Sequence, residues 1–154
     1  MSARPDAVLA YRRMDDGDLA QVAAIERTIY THPWSRGNFA DSLAAGYQCW
    51  VLEREHELVG YAVMMLAADE GHLLNLSIAS EHQGQGLGAD FVRFLLKVAR
   101  DHGTQKIYLE VRPTNVRARA LYERLGFTQI GVRRDYYPAA PGRREDAIVM
   151  ERAV

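Results

Sequence analysis

The sequence predicts an α/β fold with a mixed, mostly antiparallel sheet of six to seven strands and about four helices. Two observations carry this. Two apolar runs, residues 47–54 and 58–66, are joined by the tight polar link Glu55-His56-Glu57, which is a hairpin signal. Further on, an apolar strand, a glycine-rich run, an amphipathic helix and an alternating strand follow one another as a βαβ unit. An antiparallel meander, one βαβ crossover and a closing hairpin make a mixed sheet and not a doubly wound one. The 154 residues, 48% apolar and 25% charged, suffice for a single domain with a real core over residues 1–154.

Each element has its own signal. Residues 9–13 read as a first strand. Asp15 or Asp16 then caps a helix whose apolar stripe is Leu19, Val22, Ala23, Ile25 and Ile29, with Glu26 among them. His32-Pro33-Trp34-Ser35 ends that helix, and Ser35 caps another running to about Ala45. After the hairpin, residues 72–78 form the strand before the glycines. Asp90, Arg93, Lys97 and Arg100 then recur at helical spacing in a helix ending near Gly103. Residues 106–111 alternate, with Ile107, Leu109 and Val111 on one face and Tyr108, Glu110 and Arg112 on the other. Residues 116–125 are a helix stopped by Gly126. Residues 127–133 and 147–152 close the sheet around a loop bearing Pro138 and Gly142.

The run Gln83-Gly84-Gln85-Gly86-Leu87-Gly88 is the most informative segment. Glycines permit positive φ and close backbone approach, and the helix behind them presents unpaired N–H groups at the positive end of its dipole. Together these make a pocket for a phosphate or pyrophosphate. A Walker loop is excluded because Ala89-Asp90 stands where Lys-Ser/Thr is required. A dinucleotide fingerprint matches Gly84-x-Gly86-x-x-Ala89, with Glu110 about 20 residues on. Too little chain follows Glu110, however, to add the βα repeats of that fold.

Other classes find no support. A net charge of −1 gives no electrostatic case for nucleic acid or membrane as an obligatory partner. The lone Cys49 cannot form an internal disulfide and is compatible with a reducing cytoplasm; it reads as buried filler. No run approaches the ~20 apolar residues of a membrane span, and residues 1–6 have no signal-peptide core behind them. The five histidines show no metal-ligand spacing, so no metal is expected. Nothing in the chain signals an oligomeric state.

Gln83, Gly86 and Gly88 fit a third pattern, Gln-x-x-Gly-x-Gly. With His32-Pro33-Trp34, Leu109-Glu110-Val111-Arg112, Asn115, Ala120-Leu121-Tyr122-Glu123 and Gly126-Phe127, the chain resembles the GNAT N-acetyltransferases. The tail, Arg133-Arg134-Asp135-Tyr136-Tyr137-Pro138, Gly142 and Arg144-Glu145-Asp146-Ala147-Ile148-Val149-Met150, narrows this to the bacterial ribosomal-protein-alanine branch. The resemblance runs from about Tyr11 to Met150. Two departures, an extra Arg143 and Leu76-Ser77-Ile78 in place of Ile-Ala-Val, remove no group the chemistry needs. It implies a cytoplasmic enzyme with acetyl-CoA as co-substrate. The implied acceptor is the N-terminal alanine of the eighteenth small-subunit ribosomal protein.

Acetyl transfer to an amine needs a deprotonated amine, a polarised carbonyl, a proton for the thiolate and a held cofactor. An α-amine has a pKa near ~8 and needs a base. Glu110 is the expected proton acceptor, directly or through one water, although an ordinary salt bridge to Arg112 or another arginine would also suit it. Tyr122 is the expected proton donor; otherwise it is a core residue with its hydroxyl at the surface. Asn115, seven residues earlier, lies roughly 10 Å along the same helix face at ~1.5 Å per residue and would bond the pantetheine amides. By family analogy, Leu76, Ser77 and Ile78 offer backbone N–H groups to the thioester, and Gly84, Gln85, Gly86, Leu87, Gly88 and Ala89 hold the pyrophosphate. Trp34, Tyr136 and Tyr137, read as loop residues, are expected to wall an acceptor groove or else to cover the core. Glu26 and Asp41 would favour a basic peptide. Alternatives are the same fold acting on lysine or a small amine, and a non-catalytic CoA-binding module.

Overall fold

A computed structural model describes residues 8–154; the N-terminal segment inspected for a signal peptide lies outside the described residues. Among the described residues seven strands form one sheet: β1 (Leu9–Arg13), β2 (Gln48–Arg54), β3 (Glu57–Ala67), β4 (Glu70–Ile78), β5 (Lys106–Val111), β6 (Thr128–Pro138) and β7 (Arg144–Ala153). Their order is β1-β2-β3-β4-β5-β7-β6. Among the described residues four helices accompany them: α1 (Leu19–Ile29), α2 (Arg36–Ala44), α3 (Leu87–Asp101) and α4 (Val116–Arg124). β4 and β5, joined through α3, pair in parallel, whereas β1/β2, β5/β7 and β6/β7 are antiparallel. The mixed sheet and four helices agree with the sequence expectation.

The chain gathers into two compact units. The first takes in the described residues up to Val63 together with Asn75–Phe91. Its β2–β3 hairpin turns through Glu55 and His56, both at positive φ, as a two-residue primed turn demands. Ser35 caps α2 in a reciprocal box with Asn38. The start of α1 differs from expectation: Asp15 caps a short 3-10 turn, Asp16–Asp18, and α1 proper begins only at Leu19. The Asp18 side chain reaches back to the Asp15 N–H and to Arg12, which tightens the entry into 3-10 geometry. Behind α1 the core is aromatic. Trp34 lies 5.2 Å from Phe39, which meets Tyr61 edge-on at 5.6 Å.

The second unit comprises Met64–Leu74 and Val92–Val154. Ile107, Leu109 and Val111 are buried on one face of β5, as their alternation predicts. The last two strands run well past the expected hairpin, to Pro138 and back from Arg144, so Tyr136 and Tyr137 are strand residues and not loop residues. β6 keeps its pairing with β7 through register shifts between Gln129 and Gly131 and between Arg133 and Tyr137. At the second of these Asp135 takes φ 52°, its N–H bonded to Asp146 Oδ1 at 2.9 Å.

Candidate active site

The glycine run begins with Gln83, whose side-chain amide donates to Ile78 O at 2.9 Å and so ties the loop to the end of β4. Gly84 and Gly86 adopt φ 80° and 81°, and nothing stands within 4 Å of where a Gly86 Cβ would be. The first bond of α3 is Asp90 N–H to Gly86 O, so the amides of Leu87, Gly88 and Ala89 precede the helical ladder. Glycine backbone at positive φ, with open space at Gly86, leading into the N-terminal amides of a 15-residue helix suits a pyrophosphate.

At the end of β4, Asn75 and Ser77 face a polar network. Ser77 Oγ donates to Asn75 Oδ1 and meets Tyr30 Oη, each at 2.7 Å. With its hydroxyl so engaged, Ser77 has only its backbone to offer a ligand. Asn75 Nδ2 donates to Glu26 Oε1 at 3.2 Å, Tyr61 Oη donates to the same oxygen at 2.8 Å, and Trp34 N–H donates to Oε2 at 2.9 Å. Glu26 is therefore a buried, satisfied acceptor, 2% exposed, and cannot be the surface charge expected to attract a basic peptide. Burial and the facing Glu26 push the Tyr61 phenol well above its usual pKa.

In the other unit Glu110 projects from the half-buried face of β5, its side chain 5% exposed. Oε2 lies 2.5 Å from His72 Nε2. Oε1 lies 3.2 Å from Arg133 Nε but outside hydrogen-bonding alignment, so this buried oxygen accepts no hydrogen bond. Arg112, offered by the sequence as a salt-bridge partner for Glu110, turns to Glu145 and Pro138 O instead. Tyr136 and Tyr137 stand edge-to-face at 4.8 Å, with Arg133 over the first and Arg112 over the second. Burial first, then the negative charge of Glu110, raises both phenol pKa values. The structure thus brings Glu110, Tyr136 and Tyr137 into one neighbourhood and adds His72 and Arg133. The sequence offers Arg133 only as part of the tail motif. His72 carried no sequence signal of its own; the parallel register His72↔Tyr108 places it beside Glu110.

Asn115 is not on the face of α4 but caps it, its Oδ1 accepting from Ala118 N–H at 3.1 Å, which leaves the amide NH2 for a ligand. Tyr122 is buried at 9% exposure, edge-on to Phe127 at 5.6 Å. Cys49 is buried, its thiol pushed up to about 11 mainly by burial, so no thiolate nucleophile is at hand there.

Parallel strands linked through a glycine loop and helix, the second of them carrying the buried carboxylate of Glu110, mark the chain as an α/β transferase. The acetyltransferase (GNAT) family model matches residues 19–127. The chain is 35% identical to the ribosomal protein bS18-alanine N-acetyltransferase of Escherichia coli, over 89% of this chain and 92% of that one. It is 34% identical to the enzyme of the same name from Haemophilus influenzae, over 86% and 90%. The crystal structure of the Escherichia coli enzyme superposes with a TM-score of 0.88 at 33% identity, covering 96% of this chain and 94% of that one. The chain belongs to the GNAT acetyltransferase family.

Proposed function

We propose that the protein transfers the acetyl group of acetyl-CoA to the N-terminal α-amine of a protein, with the N-terminal alanine of ribosomal protein bS18 as acceptor. The observation that carries the reading is Glu110. It is a buried carboxylate at the family's motif position, with one oxygen held by His72 and the other free of hydrogen bonds. The identity to bS18-alanine N-acetyltransferases over most of the chain supports the choice of acceptor.

The chemistry is a direct transfer. The pyrophosphate rests on the amides from Gly84 to Ala89, and Asn115 bonds the pantetheine arm. The N–H groups of Leu76 and Ile78 polarise the thioester carbonyl and receive the charge of the tetrahedral intermediate. Glu110 takes a proton from the amine as its nitrogen attacks the carbonyl carbon. The C–S bond then breaks, and Tyr122 gives its phenolic proton to the departing thiolate. Trp34, Tyr136 and Tyr137 bound the acceptor peptide; of the three, Trp34 has its backbone position fixed by Glu26 and its ring tilted against Phe39. No acetyl-enzyme forms.

The test is incubation with acetyl-CoA and a peptide that begins with alanine and carries internal lysines, followed by fragment mass spectrometry. An acetyl group on the α-amine, lost with Glu110→Gln, is the expected result. Acetylation of lysine alone would overturn the acceptor assignment, and unchanged transfer by Glu110→Gln would overturn the base.

A further inference from the structure

Two lone pairs cannot face each other at 2.5 Å, so a proton sits between His72 Nε2 and Glu110 Oε2. With Glu110 ionised, that proton belongs to the ring, and His72 donates to the carboxylate. The ring is fixed from two directions. Parallel pairing sets His72 opposite Tyr108, and the two rings stack at 4.3 Å with 23° between their planes. Tyr108 and Glu110 share one face of β5, two residues apart, so the stacked imidazole presents its edge to the carboxylate. The His72 side chain is only 12% exposed, which removes competing water.

Such a contact divides the two carboxylate oxygens. Oε2 is spent on His72. Oε1 is turned toward the Arg133 guanidinium, which approaches within 3.2 Å without a hydrogen bond and is half exposed. A cation already tolerated at Oε1 marks that oxygen as the one an acceptor ammonium would approach. We propose that His72 is a positioning residue for acetyl transfer: its Nε2–H locks the Glu110 carboxylate so that Oε1, and not Oε2, takes the proton of the attacking amine. The proton balance is simple, since His72 keeps its own proton and Oε1 gains one. The inference rests on Glu110 being the base.

The test compares CoA release by the wild type, His72→Phe, His72→Gln and Glu110→Gln, with acetyl-CoA and peptide each varied. Gln can place its amide N–H near the position of Nε2, whereas Phe fills the stack on Tyr108 but cannot donate. His72→Phe should lose ~10- to 100-fold in kcat while its KM for acetyl-CoA stays within about twofold, and His72→Gln should recover most of the loss. His72→Val repeats the comparison should the Phe variant fold poorly. A wild-type kcat in the Phe or Val variant, with Glu110→Gln inactive, would overturn the role of His72 and leave the base standing. Failure of Gln to restore what Phe loses would overturn it as well, because packing and not donation would then be the cause. Full activity in Glu110→Gln would bring down the base reading and this inference together.

Discussion

Tyr122 illustrates what a single side chain can and cannot announce. A free phenol titrates near ~10 and a thiol near ~8.5, so a phenol can protonate a departing thiolate at little cost. Tyr122 is held edge-on to Phe127 at 5.6 Å, a contact that Phe at the same place would keep. Tyr122→Phe is therefore expected to retain its fold and its KM for acetyl-CoA while losing ~100-fold in kcat. Steady-state kinetics with each substrate varied checks this, and an undiminished kcat would remove Tyr122 from the chemistry. The sequence offers Glu110 and Tyr122 as candidates because they stand in motifs along the chain. It does not offer His72, since its meaning comes from a strand 38 residues away in sequence. Glu26 misled for the opposite reason: a charged residue on a helix reads as surface until three donors from elsewhere are seen to enclose it.

At the scale of elements, two glycines in strand and loop make opposite demands. Gly60 lies in β3, where a Cβ would come 2.8 Å from Ile78 Cδ1 and 2.9 Å from Ser77 O. Gly60→Ala must push the end of β4 away, at a cost of about 1–3 kcal/mol in unfolding free energy. Because that end carries the Leu76 and Ile78 amides, kcat should fall as well. Gly86→Ala meets no atom but must hold φ 81°, which costs about 1–2 kcal/mol. Its main effect should be on acetyl-CoA affinity, read by calorimetric titration, with kcat at saturation little changed. Equal affinity in both variants would mean that the Gly86 conformation is not what the cofactor reads. Helices and the central strands were legible because their apolar periodicity is strong. The ends of β6 and β7 were not. β6 is a sheet edge, and Arg133, Arg134 and Asp135 make its sequence look like a loop, although charge and bulging are how an edge strand avoids pairing with another chain.

For the whole molecule, the opposite sheet edge is secured by charge too, and this links stability to pH. Arg12 on β1 donates to both oxygens of Asp18, at 2.7 and 2.8 Å, and to Glu53 on β2 at 2.7 Å. The fold class followed from the order of strands and helices, but this cluster did not, because Arg12 and Glu53 become neighbours only once β1 pairs with β2. The Arg12 hydrogen bonds hold the Asp18 carboxyl below its usual range, against the opposing effect of burial and with help from the Asp15 N–H. A carboxyl whose folded pKa is depressed adds stability above its unfolded value, near ~3.9, and loses it as pH falls through the lower folded value. Asp18→Asn has no such linkage. The wild type should therefore exceed Asp18→Asn in unfolding free energy at pH 6, with the gap steady down to about pH 5 and closing below it. Urea unfolding of both proteins at pH 6, 5, 4 and 3 measures the gap directly. A gap that stays constant to pH 3 would mean that Asp18 titrates alike in the folded and unfolded chain. The Arg12 pairing would then fix the geometry of the edge without coupling it to protons.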